Sequence, residues 1–300
     1  MKKLLLATAA TALMAGAASA EDVKLGILIG FTGPIESLTS SMAAASELAM
    51  AEANASGKAL NGWNFVPVRA DSTCVDAAAA QSAAERLVTA EGVKGIIGGD
   101  CSGVTRAVLQ NVARPNGIVM VSPSATSPAL STDEDDSLFF RTSPSDAREG
   151  EVMADILTEK GIKSIALTYS NSDYGKGLAE AIAAAYTAKG GVVTINAAHD
   201  DGKADYSAEV AALASAGGEV LVVAGYLDQG GKGIIQRRQT GQVDFQQEVG
   251  MFPRRQPKLA PHQPPSGDVA FGLKMPHPCR DGLGKGQSMR FGSQVDHTVV

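Results

Sequence analysis

The chain has 300 residues, of which 44% are hydrophobic and 19% charged, and its formal net charge at pH 7 is −6. These values exclude a disordered acidic chain, a coiled coil and a collagen, and the length allows two α/β domains because single cores stop growing at about 250–300 residues. The negative charge repels nucleic acid and anionic lipid, so no nucleic-acid partner is expected.

The first twenty residues have the pattern of a secretory signal peptide. Lys2 and Lys3 precede an apolar run over residues 4–18, and a small-residue cleavage motif ends at Ala20. The apolar run is too short to span a bilayer comfortably, which disfavours the alternative of an N-terminal membrane anchor. We expect residues 1–20 to be removed and the mature chain to be soluble in an oxidising, exported compartment.

From residue 23 onward, apolar strand patterns alternate with alanine-rich helical patterns. Strands are predicted over residues 23–30, 64–70, 94–98, 118–121, 164–169, 192–196 and 219–224. Helices are predicted over residues 39–55, 76–91, 146–160, 174–189 and 206–216, with another that begins near residue 103. Residues 139–142 are interpreted as a segment that crosses between two halves. Such alternation is typical of parallel sheets with helices on both faces. We therefore predict an α/β fold with one lobe over residues 21–142 and a second over 143–236.

The composition changes abruptly near Gln236. Residues 1–236 contain 46 alanines and 6 prolines, whereas residues 237–300 contain 2 alanines and 7 prolines. Nine Lys/Arg residues against five Asp/Glu residues give this tail a charge of +4, and it shows neither helical nor strand periodicity. We weigh three interpretations: a disordered tail, a small extra module, and translation out of frame. The third is favoured because the change falls inside a helix expected to begin near Gln229.

Two cysteines follow neighbouring predicted strands. Cys74 lies just after the second strand and Cys101 just after the third, so both fall at the same edge of a parallel sheet. In an exported protein this placement favours a disulfide over two unpaired buried thiols. The third cysteine, Cys279, is left over in the tail.

Polar loops follow the third and fourth predicted strands, at the edge where open α/β sheets bind ligands. Ser102 falls where a helix begins, so its hydroxyl and the free first-turn amides can hold an anion such as a carboxylate. The alternative is that Ser102 only caps its own helix. Residues 122–128 offer hydroxyls and carbonyls without regular partners, although a plain Ser/Pro turn is the commoner role of such loops.

Two tyrosines occupy corresponding places in the second half. Tyr174 lies at the start of a helix after one strand, and Tyr226 follows another strand. Both are therefore predicted to project into a cleft that faces the first lobe. Taken singly, each is more simply an interface aromatic.

Sequence signatures of enzymes are missing. The chain has no phosphate-binding P-loop motif and no G-x-S-x-G elbow, and His199 is the sole histidine before the tail. A Ser-His-Asp triad or a zinc cluster cannot be assembled around it, and the acids beside His199 are interpreted as a solvated loop. The sequence predicts no catalytic residue, no metal and no cofactor, so an enzyme is not expected.

In order and spacing these pieces resemble the type I periplasmic solute-binding proteins of ABC transporters, in the leucine/isoleucine/valine-binding family. The resemblance covers residues 23–236 and is carried by the loop 30–34, Cys101-Ser102, the segment 122–128, Asp173-Tyr174-Gly175-Lys176-Gly177 and Gly225-Tyr226. It implies two lobes with parallel sheets that close by hinge motion on a small ligand. It also implies that Cys74 and Cys101 form the disulfide of the family.

The resemblance further implies a site for an amino acid or an analogue. The ligand-binding residues it implies are Ser102, Ser124, Ala125, Thr126, Tyr174 and Tyr226. In this set Ser102 and Thr126 hold the α-carboxylate with help from backbone amides, and the Ser124 carbonyl accepts from the α-ammonium. The two tyrosines come from the second lobe. An apolar wall of Phe31, Ile35 and Leu38 favours leucine-like ligands.

The function implied is capture of such a ligand in the periplasm and its delivery to an ABC permease, by a protein that works as a monomer. The alternatives are an exported sensor of the same fold and a non-functional truncated relative. In the family, the returning elements of both lobes and the acid that pairs with the ammonium come later than residue 236. We therefore expect the second lobe and the hinge return to be incomplete.

Overall fold

Eight parallel strands form two sheets in the described part of the computed structural model, which comprises residues 21–59 and 62–237. The predicted signal peptide and, apart from residue 237, the predicted tail lie outside the described residues. The strands are β1 (Asp22–Ile29), β2 (Asn64–Asp71), β3 (Gly95–Gly98), β4 (Val119–Ser122), β5 (Phe139–Arg141), β6 (Ser164–Ser170), β7 (Val192–His199) and β8 (Val220–Ala224). The first sheet has the order β2-β1-β3-β4-β5, and the second has the order β7-β6-β8.

Helices alternate with these strands, as the sequence predicts. They are α1 (Glu36–Ala55), α2 (Ala77–Thr89), α3 (Ser102–Val108), α4 (Asp146–Glu159), α5 (Asp173–Ala188), α6 (Ser207–Ser215) and α7 (Lys232–Arg237). Helix α3 continues through a π-turn, Leu109–Ala113, and a second π-turn, Leu227–Gly231, leads into α7. The predicted α/β fold with parallel sheets is confirmed. The proposed division at residue 142 stays a prediction.

One prediction about the junction between the sheets is wrong. The segment interpreted as a crossing connection contains β5, which pairs in parallel with β4 through Met120–Phe139, Val121–Phe140 and Ser122–Arg141. The strand is only three residues long, and the Phe140 side chain is 54% exposed. So short a run cannot establish a period of two, which is why the pattern resembles a connection.

Local sequence explains where the helices begin and how they pack. The Asp76 carboxylate caps α2 by accepting from the amides of Ala78 and Ala79, and the Ser172 hydroxyl caps α5 by accepting from the Gly175 amide. Helices α4 and α5 approach closely because Gly150 has no side chain there. A Cβ at that residue would lie 2.5 Å from a backbone carbon of Ala181. None of the described helices has the length and apolarity needed to cross a membrane.

Both strand orders contain a topological switch point, and this is what positions the site. In the first sheet the chain leaves β1 for β2 on one side and returns on the other side as β3. In the second sheet β6 lies between β7 and β8 in the same way. Ligands of open parallel sheets bind outside the carboxyl ends of the strands at such points. The residues after β3, β6 and β8 therefore lie where this class of fold binds its ligands.

Candidate functional site at the carboxyl ends of the strands

The loops after β3 and β4 are joined by hydrogen bonds from both sides. The Ser122 hydroxyl donates to the carbonyl of Gly99 at 2.6 Å, and the Ser124 hydroxyl donates to the carbonyl of Asp100 at 2.9 Å. The amide of Ser127 donates to the Ser102 hydroxyl at 3.1 Å. Since β3 and β4 are adjacent and parallel, their carboxyl ends fall at one edge, and the loops hold each other in place.

Ser102 does not cap its own helix. The N-cap position of α3 belongs to Cys101, and Ser102 is the first helical residue. Its side-chain oxygen accepts from Ser127 of the neighbouring loop, so the hydroxyl proton remains available for an acceptor. Ser102 is buried, with 2% of its surface exposed. The sequence-based alternative of a simple capping serine is therefore wrong.

The next loop places three of the predicted residues beside Ser102. Ala125 is fully buried, and its amide donates to the Ser122 hydroxyl at 2.9 Å. The carbonyl of Thr126 accepts from the Asp146 amide at 2.9 Å, which joins this loop to the start of α4. The Ser124 carbonyl accepts no hydrogen bond from any residue in the described ranges. It can therefore accept from a bound cation such as an ammonium group.

Cys74 and Cys101 form the predicted disulfide, with an S–S distance of 2.03 Å. The bond joins the ends of β2 and β3, next to Ser102. Asp100 adds a second connection at the same place, since its carboxylate accepts from the Gly30 amide and from the Ser72 hydroxyl, both at 2.7 Å. Asp100 is 2% exposed and carries no sequence signal that marks it as a site residue. The disulfide and Asp100 therefore connect the carboxyl ends of β1, β2 and β3 beside Ser102.

Tyr174 and Tyr226 lie together on the second sheet's side. Their ring centroids are 5.2 Å apart with an angle of 32° between the ring planes. The Tyr226 hydroxyl oxygen lies 3.8 Å from Cys74 Sγ, so this ring reaches the disulfide of the first sheet. Burial raises the pKa of both phenols, and nearby carboxylates raise it further. Both hydroxyls are therefore neutral hydrogen-bond donors at physiological pH.

A second point of contact lies between α3 and α5. A Cβ on Gly177 would be 3.0 Å from both Pro128 and Ser127, and the Arg106 guanidinium lies 3.8 Å from the Asp173 carboxylate. A cavity of about 380 Å³ opens along this contact, between Arg106, Pro128, Asp173 and Lys176. None of the six predicted ligand-binding residues lines that cavity. The contact joins α5 to the loop after β4, and Ser127 links it to Ser102 of the predicted site.

Asp146, the first residue of α4, is a buried acid next to the Thr126 loop that sequence reasoning missed. Its side chain is 1% exposed, and neither carboxylate oxygen has a well-formed hydrogen bond among the described residues. Burial raises the pKa of this carboxyl from 3.8 to about 7, against the lowering effects of Thr126 and Arg141, while Glu149 adds to the rise. In the sequence, an acid that follows a serine at the start of a helix looks like part of an ordinary helix cap. Only the packing of the Thr126 loop against Asp146 shows that this acid is buried.

The sequence-based interpretation of the acids near His199 as a solvated loop is confirmed for Asp200 and Asp205 but not for Asp201. Asp200 and Asp205 are exposed, whereas one oxygen of Asp201 is buried and His199 itself is only 2% exposed. The loop that carries Tyr226 covers them, which could not be foreseen from residues so distant in the chain. Within residues 21–59 and 62–237, no group of three His, Cys, Asp or Glu side chains is arranged to hold a metal ion.

The comparisons with known proteins agree on one family. The family profile described as "Periplasmic binding protein" matches residues 22–273, a range that extends past the composition change near Gln236. The Leu/Ile/Val-binding protein homolog 3 of Brucella melitensis is 35% identical over 77% of this chain and 62% of the relative. The Leu/Ile/Val/Thr-binding protein of Salmonella typhimurium is 31% identical over 80% of this chain and 64% of the relative. The chain thus spans less than two thirds of the length of these curated relatives.

A solved structure supports the same fold. The crystal structure of the branched-chain amino acid transporter substrate binding protein LivJ from Streptococcus pneumoniae, in complex with isoleucine, superposes with a TM-score of 0.59. It is 27% identical in sequence, and the match covers 68% of this chain and 57% of that chain. The two-sheet arrangement described above is therefore that of solved substrate-binding proteins.

Proposed function

The chain belongs to the periplasmic binding protein family, and from this premise we propose that it captures an amino acid with an apolar side chain at the carboxyl ends of its strands. The observation that carries the proposal is the Ser102 hydroxyl. This hydroxyl is buried, held by the Ser127 amide, and keeps its own proton for an acceptor. A ligand carboxylate is such an acceptor, and a hydrogen bond from a hydroxyl to a carboxylate is charge-assisted.

The surrounding groups complete a site for a zwitterion. The free Ser124 carbonyl accepts from the α-ammonium, while the Thr126 hydroxyl and the loop amides support the carboxylate. Tyr174 and Tyr226 close the site from the other side as neutral donors with large apolar rings. The ligand thus finds a donor group and an acceptor group at adjacent positions, which is what an amino acid's two opposite charges require.

The side-chain preference rests on the apolar residues after β1 and on the relatives. Ile35 and Tyr226 both pack against the core cluster that contains Leu28, whereas Phe31 packs against the cluster on the other face of the sheet, which contains Ile27 and Ile29. Ile35 is therefore the residue of the predicted wall that lies on the side of Tyr226. The two curated relatives described above carry names that include leucine, isoleucine and valine. We therefore assign a branched-chain amino acid as the ligand class of this chain.

Binding without chemical conversion is part of the proposal. The hydroxyls of Ser102 and Ser124 interact with an amide and a carbonyl of neighbouring loops, and neither can act as a general base. The single described histidine, His199, bonds to Thr168 in the second sheet. We further propose that the chain is exported to the periplasm through its N-terminal signal sequence, works as a monomer and passes its ligand to an ABC permease.

Replacing Ser102 by alanine tests the proposal at its centre. The Ser102→Ala variant is expected to bind leucine about 10- to 100-fold more weakly than the unmodified chain, because a hydrogen bond to a charged group contributes about 1.5–3 kcal/mol. Isothermal titration calorimetry measures the two affinities directly. Ser41→Ala is a matched control, since the exposed Ser41 hydroxyl only donates to the Leu38 carbonyl. Equal affinities of the Ser102 variant and the control would remove Ser102 from the site.

A further inference from the structure

Beneath the loop that carries Tyr226 lies a buried histidine with an acid beside it. His199 is the last residue of β7, and its side chain is fully shielded from solvent. Asp201 follows two residues later, with 23% of its side chain exposed but its Oδ1 atom buried. His199 Nε2 and Asp201 Oδ1 are 3.9 Å apart, and neither atom has a hydrogen-bond partner among the described residues.

The hydrogen bonds around the ring determine where its proton lies. The Thr168 hydroxyl is 2.9 Å from the Ala197 carbonyl, which can only accept, so Thr168 donates its single proton there. Thr168 Oγ1 must then accept from His199 Nδ1, which is also 2.9 Å away. The neutral ring therefore carries its proton on Nδ1, and Nε2 presents a bare lone pair toward Asp201.

The acid also presents an acceptor. Asp201 Oδ2 accepts from the Ser170 hydroxyl at 2.5 Å, whereas Oδ1 faces the histidine without a proton between them. Two buried acceptors that face each other across 3.9 Å are unfavourable, because both are desolvated and neither is satisfied. A single additional proton on Nε2 would convert this contact into a charge-assisted hydrogen bond.

The charged groups around the pair have opposing effects on the pKa values of His199 and Asp201. Burial lowers the pKa of His199, while the carboxylates of Asp201, Glu209 and Asp200 raise it and the Lys203 ammonium lowers it. Burial raises the pKa of Asp201, the Ser170 hydroxyl and His199 lower it, and Asp200 raises it. Burial therefore disfavours a charge on either group alone, whereas a proton shared between them gives both Nε2 and Oδ1 a hydrogen-bond partner.

The Tyr226 loop rests directly on this pair. A Cβ on Gly230 would lie 2.6 Å from His199 Nε2 and 3.1 Å from Asp201 Oδ1, and a Cβ on Gly225 would lie 3.6 Å from His199 Nε2. The loop is also joined to the segment after Asp201. The Tyr206 hydroxyl lies 3.0 Å from the carbonyl oxygens of both Asp200 and Gln229. Any change in the separation of the pair is therefore transmitted to the residues on both sides of Tyr226.

We propose that His199 and Asp201 together take up one proton, and that this shared proton positions the Tyr226 loop over the ligand site. His199 is thus a positioning residue. The inference rests on the proposed function only in its statements about ligand affinity. Protonation draws Nε2 and Oδ1 into a hydrogen bond and removes the unpaired acceptors under the loop. Ligand affinity then rises as pH falls through the titration of the pair, and by linkage ligand binding takes up protons.

The experiment compares the unmodified full chain with Asp201→Asn. An asparagine amide can donate to His199 Nε2 while its oxygen still accepts from Ser170, so this variant supplies the missing hydrogen without a titrating acid. Leucine binding measured in two buffers of different ionisation enthalpy should show proton uptake by the unmodified chain. Asp201→Asn should show none and should keep the tighter affinity at every pH. Equal proton uptake by both proteins would overturn the proposal.

A ligand-free readout separates this inference from the proposed function. In ¹⁵N NMR spectra, the His199 ring, assigned by its loss in His199→Gln, should carry its proton on Nδ1 at alkaline pH. The Gly230 amide shift should follow the pH titration of that ring even when no amino acid binds. A proton on Nε2 at alkaline pH, or a Gly230 amide that ignores the titration, would contradict the inference. Absence of leucine binding with the NMR results as expected would contradict only the proposed function.

Discussion

Asp146→Asn is expected to stabilise the protein at neutral pH by up to about 4 kcal/mol. The carboxyl at this position has a pKa of about 7 in the folded protein against 3.8 without burial, and every tenfold change in an acid dissociation constant corresponds to about 1.4 kcal/mol. Because the folded state holds the proton more tightly, the free energy of unfolding falls as pH rises from about 4 to about 7. An asparagine cannot ionise, so the variant does not lose this stability.

Urea denaturation of both proteins across that pH range measures the effect. The two stabilities should agree near pH 4, where the folded carboxyl is fully protonated, and diverge as pH rises. Asp155→Asn, on the same helix, is a suitable control because its carboxylate pairs with Lys189 at 2.8 Å and its pKa is lowered. That variant should be slightly less stable at neutral pH. A loss of stability in Asp146→Asn at neutral pH would contradict the prediction, because it would show that the buried carboxylate has hydrogen-bond partners in the folded protein.

Loss of the Cys74–Cys101 disulfide is expected to cost about 3.5 kcal/mol of stability. The two cysteines are 27 residues apart in sequence, and a cross-link that closes a loop of this length restricts the unfolded chain by about that amount on the chain-entropy model. The bond also holds the ends of β2 and β3 beside Ser102. We therefore expect weaker ligand binding as well as lower stability when it is removed.

Comparison of urea denaturation curves with and without a thiol reductant tests this expectation. The measurement is best made in a Cys279→Ser background, so that no third thiol exchanges with the bond. The double variant Cys74→Ala/Cys101→Ala should match the reduced protein and should not respond to reductant. Identical midpoints for the oxidised and reduced forms would show that the disulfide contributes nothing to stability.

Much of the fold was predictable because its signals are local. Strand β8, for example, is an unbroken run of buried aliphatic residues, Val220–Ala224, between glycine-containing turns. The caps of α2 and α5 lie in residues directly before each helix. By contrast, β5 cannot be recognised as a strand from the sequence, because three residues carry too little pattern and the pairing with β4 depends on the chain's return in three dimensions.

The same distinction applies to the site. Cys74, Cys101 and Ser102 could be placed together because parallel strands bring their carboxyl ends to one edge. Asp146 and His199 could not, because their burial depends on loops that are distant in sequence. Asp146 is covered near the Thr126 loop, and His199 is covered by the residues around Gly230. Hydrophilic residues that are buried by tertiary packing leave no periodic signal in the sequence.

The measurement that tests the central claim most directly is calorimetric titration of the full chain with leucine and two analogues that each lack one charge. Leucinamide lacks the carboxylate, and 4-methylpentanoate lacks the ammonium. The site described here, with the Ser102 hydroxyl as donor and the Ser124 carbonyl as acceptor, predicts saturable one-to-one binding of leucine and much weaker binding of both analogues. Binding of leucinamide as tight as that of leucine, or no leucine binding by the folded chain, would contradict the account.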